Sequence, residues 1–182
     1  PAGVFKYFEE ICQVPRPSKK EEKMIAYLKA FGAKHNLETK VDEAGNVLIK
    51  KPATPGKENL QTVVLQSHID MVCEKNNDVQ HDFLTDPIET EIDGEWLKAK
   101  GTTLGADNGI GVATELAILA DDSIEHGPLE CLFTVDEETG LTGAFALQEG
   151  FMSGDILLNL DSEDEGEIFI GCAGGIDSVA EF

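Results

Sequence analysis

Apolar residues recur along this 182-residue chain in two patterns, one with helical spacing and one continuous. Spacings of three and four residues predict amphipathic helices, whereas short continuous runs rich in β-branched residues predict strands buried on both faces. Helices are predicted over residues 4–12, 18–34, 109–119 and 141–148. Buried strands are predicted over 62–66, 130–135 and 155–160, and a further strand over 167–170.

Two hairpins and one helix cap complete the predicted elements. Residues 37–50 and 88–98 are typical of antiparallel hairpins, with turns at Glu43–Gly45 and at Asp93–Gly94. The spacing of Ser18 and Glu21 matches a capping box at the start of the second helix, so that helix is expected to begin there. Strands that alternate with helices indicate an α/β fold, here with a mixed, largely parallel central sheet flanked by helices.

Composition and charge narrow the classes of function. Hydrophobic residues make up 41% of the chain, which is enough for one sizeable core. The formal net charge is -21, from 35 acidic and 14 basic residues. A surface this negative repels phosphate backbones and anionic lipid headgroups, so neither nucleic acid nor a membrane is an expected partner. Two divalent ions would offset about four of these charges.

The four cysteines are dispersed and form no Cys-x-x-Cys pair. This distribution favours buried, reduced thiols in a cytoplasmic protein, with a disulfide pair as the alternative. No apolar run in the sequence approaches the length of a membrane-spanning helix. The cytoplasm is the expected location.

Carboxylates and one imidazole follow the three buried strands. The first strand leads to His68 and Asp70, the second to Glu137 and Glu138, and the third to Asp161. Taken singly, each motif also has an ordinary interpretation as a strand end or a solvated turn. In open α/β sheets, however, sites form beyond the carboxyl ends of the strands, so these side chains are expected to converge.

Asp107 lies in a glycine-flanked segment just before the third predicted helix. An N-cap aspartate and a phosphate-binding loop are its ordinary interpretations. The phosphate loop is excluded, because Gly109-x-Gly111 lacks a third glycine in register and no Gly-Lys-Ser/Thr follows. A carboxylate presented at such a turn can instead bridge two metal ions.

A calcium loop is excluded for the acidic run beyond Asp161. The twelfth position of such a loop would be Cys172 rather than a bidentate glutamate, and a strand is predicted to follow instead of a helix. Residues 163–165 are therefore expected to form an exposed turn.

The candidate residues together suit a pair of divalent metal ions. Oxygen ligands with a single imidazole can hold two Zn²⁺, Co²⁺ or Mn²⁺ ions, and the usual role of such a pair is to activate water for hydrolysis. Because neighbouring side chains diverge, one of the two adjacent glutamates can bind metal while the other acts as a general base.

Four segments resemble the metal-site motifs of the M20 dinuclear zinc peptidases. They are residues 64–72, 104–109, 134–140 and 159–163. The extensions at 71–75 and 171–175 are similar to those of the Xaa-His dipeptidase branch of that family. The resemblance covers nearly the whole chain, and its motifs are specific in order and spacing.

The resemblance implies a role for each metal ligand. His68 and Asp161 would bind one ion, Glu138 would bind the second, and Asp107 would bridge the two. Zn²⁺ is the expected metal, with Co²⁺ or Mn²⁺ as alternatives. The family also implies a cis peptide bond between Asp107 and Asn108.

The same resemblance implies that Asp70 orients His68 and that Glu137 is the general base. The chain departs from the family in one respect, because the second metal takes a further histidine from near the end of a longer chain, and neither His81 nor His126 matches that motif. Residues 1–182 are therefore expected to be the N-terminal portion of the catalytic metallopeptidase domain. The resemblance implies that the lid or dimerisation domain and the C-terminal return lie outside these residues, so this portion alone is expected to be weakly active or inactive.

The function implied by the resemblance is metal-dependent hydrolysis of dipeptides, Xaa-His among them, by a full-length protein that dimerises through the lid domain. Two alternatives stay open. One is an amidohydrolase that deacylates N-acyl amino acids on the same fold, and the other is a catalytically silent binding module. The presence of Glu137 counts against the silent module, since binding alone needs no base at that position.

Overall fold

The computed structural model describes residues 2–162, 166–171 and 174. Two helices are followed by five strands, and helices alternate with strands only in the remainder of the described chain. They are α1 (Ala2–Cys12), α2 (Glu22–Lys34), β1 (Glu38–Val41), β2 (Val47–Lys51), β3 (Val63–His68), β4 (Thr90–Asp93), β5 (Trp96–Ala99), α3 (Ala106–Ala120), β6 (Leu129–Thr134), α4 (Thr142–Ala146) and β7 (Ile156–Asn159).

Five strands form the central sheet, in the order β1-β2-β6-β3-β7. The β6–β3 and β3–β7 pairs are parallel, whereas β1–β2 and β2–β6 are antiparallel. Strands β4 and β5 form a separate antiparallel hairpin. The predicted α/β class with a mixed sheet is confirmed, and both predicted hairpins are present.

The main core lies between the sheet and helices α1, α2 and α3. It packs residues from the helices, such as Phe8, Met24 and Leu116, against strand residues such as Leu65 and Phe133. A smaller cluster covers the opposite face of the sheet, where buried strand residues contact the segment after α4. Every residue of β6 is buried, which explains why its sequence reads as a continuous apolar run without alternation.

The predicted capping box at Ser18 is wrong. Helix α2 begins at Glu22, and Glu21 at its N-cap makes no side-chain capping hydrogen bond. The Ser18 hydroxyl instead donates to Asp70, and a carboxylate oxygen of Glu21 accepts the backbone N–H of Asp136. Both side chains are oriented by partners far away in the sequence, which outweigh the local cap.

The predictions for the last strands need two corrections. Strand β7 forms as predicted, at the edge of the sheet as described, but all four of its residues are exposed, because the described residues do not cover the two faces of this strand. Residues 167–170 do not form a strand, and Ile168 and Ile170 are almost fully exposed, so these residues have no described neighbour to pair with. The turn predicted at 163–165 lies outside the described residues.

The three cysteines that the structure describes form no disulfide with one another. Cys12, Cys73 and Cys131 are free thiols, and Cys12 and Cys131 are buried. Cys172 lies outside the described residues. None of the helices in the described part of the chain combines the length and apolarity that a membrane crossing requires.

Candidate metal centre

The carboxyl ends of three parallel strands meet at one edge of the sheet. Strands β6, β3 and β7 are neighbours and run in the same direction. His68 is the last residue of β3, Glu138 lies in the turn after β6, and Asp161 follows the end of β7. The start of α3, with Asp107, lies beside the same edge. Four segments that are distant in the sequence therefore surround one position.

The donor atoms at this position are close enough to share a cation. One ligand atom from each of His68, Asp107 and Glu138 lies within 4.8 Å of the other two. The Nε2 atom of His68 is 2.9 Å from a carboxylate oxygen of Asp107 and 3.9 Å from one of Asp161. One imidazole with three carboxylates is a donor set that Zn²⁺, Co²⁺ and Mn²⁺ accept. The residues present fit a divalent ion.

The ring of His68 is buried between two carboxylates. Its Nδ1 atom is 3.2 Å from Asp70, while Nε2 faces Asp107. Burial lowers the pKa of His68, but hydrogen bonds to Asp70 and Asp107 outweigh that effect and raise the pKa to about 9. The contact with Asp70 orients the ring so that Nε2 points to the other donors.

Asp70 is fully buried and accepts several hydrogen bonds. The Ser18 hydroxyl donates to it at 2.7 Å, and the backbone N–H groups of Glu137 and Glu138 donate at 3.0 and 3.2 Å. Burial raises the pKa of Asp70, but hydrogen bonds with His68 and these donors lower it overall, to about 2. Asp70 is therefore an ionised carboxylate that connects the imidazole to the turn carrying both glutamates.

Asn108, the residue that follows Asp107 in the chain, connects Asp107 to Asp161. The Asp107–Asn108 peptide bond is cis. The side-chain amide of Asn108 donates to the Asp161 carboxylate and, at 3.1 Å, to the carbonyl oxygen of Leu160. Asp107 itself is 57% exposed, so its carboxylate is open to a ligand. Asn108 holds Asp161 on the same side of the site as His68.

Glu137 and Glu138 extend from the turn after β6 in different directions. Glu138 joins the group around His68, whereas Glu137 lines a cavity of about 80 Å³ together with Asp161. Burial raises the pKa of both glutamates, and nearby carboxylates, including Asp161 for Glu137 and Asp107 for Glu138, raise it further. A carboxylate with a raised pKa is a better proton acceptor near neutral pH.

Sequence reasoning missed three residues that support this site. Arg16 and Glu21 lie under the loops that carry the ligands, and Asn108 holds Asp161. Glu21 also belongs to a second buried group of carboxylates, with Asp70 and Asp136, whose oxygens lie within 4.8 Å of one another. Arg16 and Glu21 stand in the short segment between α1 and α2, and Asn108 lies in the first turn of α3 directly after Asp107, so no periodic pattern marks any of the three.

The two other histidines considered from the sequence do not join the centre. His126 lies in the loop before β6, at the opposite end of that strand, where its Nδ1 atom is 2.7 Å from the carbonyl oxygen of Gly127. His81 packs against Phe83 with 4.4 Å between the ring centroids. Within the described residues, neither belongs to the group around His68.

Comparisons with known proteins point to one family. Residues 64–177 match the model of peptidase family M20/M25/M40. The cytosol non-specific dipeptidase of Escherichia coli is 55% identical over 177 residues, which are 97% of this chain and 36% of that protein. The chain thus spans about a third of the length of that relative.

Two solved structures extend the likeness to the fold. The aminoacylhistidine dipeptidase of Vibrio alginolyticus superposes with a TM-score of 0.92 and 57% identity, over 94% of this chain and 35% of that one. The aminopeptidase PepT of Bacillus cereus superposes with a TM-score of 0.76 and 26% identity, over 90% of this chain and 44% of that one. The family match spans most of the chain and includes the ends of the three parallel strands at the metal centre. The chain therefore belongs to peptidase family M20/M25/M40.

Proposed function

We propose that the longer protein containing this chain is a metal-dependent dipeptidase that hydrolyses short peptides with a free amino terminus, Xaa-His among them. One observation carries the proposal: His68, Asp107 and Glu138 present ligand atoms within 4.8 Å of one another, at the carboxyl ends of parallel strands. The E. coli and Vibrio relatives, named as dipeptidases, support the choice of a peptide substrate.

The proposed metal site would hold two divalent ions. His68 and Asp161 would bind one ion, Glu138 the other, and Asp107 would bridge them. Zn²⁺ is the metal we propose, and Co²⁺ or Mn²⁺ would suit the same donors. When bound, the ions would lower the pKa of the attacking water and polarise the peptide carbonyl.

The side chains of the chain supply the proton transfers. Glu137 lies beside the ligands, and its pKa is raised by burial, so it is placed to accept a proton from the attacking water. The same carboxyl group then protonates the leaving amine. Asp70 keeps His68 in one orientation through the contact at 3.2 Å, so the ligand nitrogen does not turn away during turnover.

We further propose that residues 1–182 are the N-terminal portion of the catalytic domain. The lid or dimerisation domain and a C-terminal return would lie outside this chain, and the full-length protein would form a homodimer through the lid. The cytoplasm is the proposed location, in keeping with the free thiols of Cys12, Cys73 and Cys131 and with the name of the E. coli relative.

The test is a substrate panel with the full-length protein, stripped of metal and reloaded with Zn²⁺, Co²⁺ or Mn²⁺. We expect release of amino acids from dipeptides, including Xaa-His, with activity lost on stripping and restored on reloading. Cleavage of N-acyl amino acids without cleavage of dipeptides would make the protein a deacylase. Peptide binding without product under any of the three metals would make it a binding module.

The 182-residue chain is assayed beside the full-length protein, with metal stoichiometry measured for both. We expect the chain to bind less metal and to turn over slowly or not at all. Full activity of the chain alone would refute the proposed domain boundary.

A further inference from the structure

We propose that Arg16, Ser18 and Glu21, in the segment between α1 and α2, are positioning residues that set the spacing of the loops around the metal centre. The proposal rests on the proposed function only for its activity measurement, because metal affinity is measured separately. None of the three residues is among the proposed ligands, and their side-chain hydrogen bonds within the described residues go to Asp70 and to backbone groups.

Glu21 and Asp70 together hold three successive backbone amides. The N–H of Asp136 donates to Glu21 at 2.9 Å, and those of Glu137 and Glu138 donate to Asp70 at 3.0 and 3.2 Å. The turn that carries the proposed base and a proposed ligand is thus fixed by two carboxylates from other parts of the chain. Asp136 has a φ of 48°, in the left-handed region that non-glycine residues adopt uncommonly, and the hydrogen bond from its N–H to Glu21 holds this backbone in place.

Arg16 connects two other loops of the site. Its guanidinium is buried and donates to the carbonyl oxygens of Ile69 and Asp70, both at 3.1 Å, and to that of Gly105 at 2.5 Å. The first two carbonyls follow His68, and the third precedes Asp107. One planar, multidentate group therefore ties the end of β3 to the start of α3.

The glycines near Asp107 make room for this guanidinium. A Cβ atom at Gly105 would lie 2.6 Å from an Arg16 nitrogen, and one at Gly109 would lie 2.7 Å from the same atom. Real Cβ atoms essentially never come that close to a neighbouring atom. Gly105 and Gly109, on either side of Asp107, therefore leave room for Arg16, and the φ of 69° at Gly105 is a second reason for glycine at that position.

Ser18 makes the third side-chain contact of this segment, and the backbone of the segment also pairs with the loop after β3. The Ser18 hydroxyl donates to Asp70 at 2.7 Å, and the N–H of Met71 donates to the carbonyl oxygen of Arg16 at 3.2 Å. Pro17 forms a parallel bridge with Met71. Residues 16–21 thus contact the loops that carry His68, Asp107 and Glu138, which is what a common spacer for the three must do.

The decisive experiment compares Glu21→Gln with Glu21→Met in the full-length protein. Glutamine keeps a carbonyl oxygen that can accept the N–H of Asp136, whereas methionine has a similar length and no comparable acceptor. We measure Zn²⁺ affinity by competition with a chromophoric chelator, and kcat and KM on a dipeptide. Supporting groups around metal ligands typically contribute about 10–100-fold to affinity, so Glu21→Met is expected to lose that much and Glu21→Gln to stay close to the unchanged protein.

Arg16→Lys and Ser18→Ala test the other two contacts. Lysine keeps the charge but offers one ammonium group, which cannot span both loops in the way of the guanidinium, so we expect a loss of Zn²⁺ affinity of about 10-fold or more. Ser18→Ala removes a single hydrogen bond and is expected to fold. It should lower kcat with little change in KM, because the hydroxyl of Ser18 donates to Asp70 and would act through the orientation of His68.

Glu130→Met is the matched control, since Glu130 is also a buried glutamate that accepts a backbone N–H, from Ser153 at 2.8 Å, at the other end of β6. We expect it to lower the unfolding midpoint without changing Zn²⁺ affinity. Unchanged affinity in Glu21→Met and Arg16→Lys, or an equal loss in Glu130→Met, would overturn the proposal. An equal loss in Glu21→Gln would do so as well.

If Glu21→Met does not fold, the Zn²⁺ affinity of Arg16→Lys and the kcat of Ser18→Ala test the proposal instead. If the unchanged protein binds Zn²⁺ but hydrolyses no dipeptide, the proposed function fails while the affinity comparison still decides the positioning role.

Discussion

Asp70 and Glu137 are both acidic and both close to His68, yet their surroundings move their pKa values in opposite directions. Burial acts on both, but Asp70 accepts hydrogen bonds from His68, Ser18 and backbone amides that lower its pKa to about 2. For Glu137, burial is not offset in this way, and its pKa is raised. Such a divergence between neighbouring carboxylates is typical of sites in which one group orients and the other transfers protons.

The first residue-scale prediction concerns the proposed base. Glu137→Gln in the full-length protein is expected to lower kcat by about 10²–10⁴-fold, since the amide cannot accept the proton. Metal content, measured by elemental analysis, should stay close to that of the unchanged protein. Glu138→Gln is the comparison and should lose metal as well as activity. Loss of metal in Glu137→Gln would show that Glu137 is a ligand.

A second residue-scale prediction concerns Glu115, a fully buried glutamate on α3 that accepts a hydrogen bond from Ser67 at 2.7 Å. Burial raises its pKa well above the usual range, and hydrogen bonds with Ser67 and Cys131 offset only part of that effect. The folded protein therefore keeps a proton that the unfolded chain releases near pH 4.3. Stability is lost as the pH rises above that value, until the folded pKa is reached.

Glu115→Gln removes this pH dependence and keeps a carbonyl oxygen for Ser67. We expect the variant to exceed the unchanged protein in free energy of unfolding at pH 7, and the gap to narrow towards pH 4 by at most about 1.4 kcal/mol per pH unit. Urea unfolding of the metal-free protein between pH 4 and 7 measures this. Glu95→Gln, at an exposed position, is the control. Parallel curves for Glu115→Gln and the unchanged protein would contradict the prediction.

At the scale of elements, the close approach of α3 to β3 depends on a glycine. A Cβ atom at Gly111 would overlap the side-chain oxygen of Asn108 and lie 3.0 Å from the Cβ atom of Ser67. Gly111→Ala is therefore expected to cost about 1–3 kcal/mol of stability, as overpacking does. It should also weaken Zn²⁺ binding, because Asn108 holds Asp161.

Gly3→Ala is the matched control for this prediction. Its Cβ atom would lie 3.5 Å from that of Ala117, which is ordinary contact between α1 and α3. We expect it to leave the unfolding temperature unchanged or slightly raised, since alanine favours a helix. Equal melting temperatures for Gly111→Ala and Gly3→Ala would mean that α3 can shift away from β3 at little cost.

The elements also show why a local pattern can mislead. Ser18 and Glu21 have the spacing of a capping box, and the same oxygen atoms that would cap a helix can accept or donate hydrogen bonds elsewhere. In the fold they serve Asp70 and the N–H of Asp136. Strand β7 misleads differently, because its apolar residues predict burial on both faces, whereas the described part of the chain covers neither face of this strand.

At the scale of the whole molecule, charge and topology act together. The chain carries a net charge of -21, and some of its carboxylates are concentrated where the parallel strands end. A cation is attracted to such a position, and its binding relieves the repulsion among the ligands. The order β6-β3-β7 is what brings those carboxylates together, since the three strands are neighbours and parallel.

The helices, most strands, the α/β class and the residue types of the candidate site can be predicted from the amino-acid sequence. Those properties repeat every two to four residues or stand in short motifs, so they can be read from neighbouring positions. The exposure of β7 and the contacts that hold the ligands become visible only in the three-dimensional fold. Glu21 and the N–H it accepts from Asp136 are 115 positions apart, and Arg16 and Gly105 are 89 apart. Contacts of that separation depend on how the elements pack, and no local pattern encodes them.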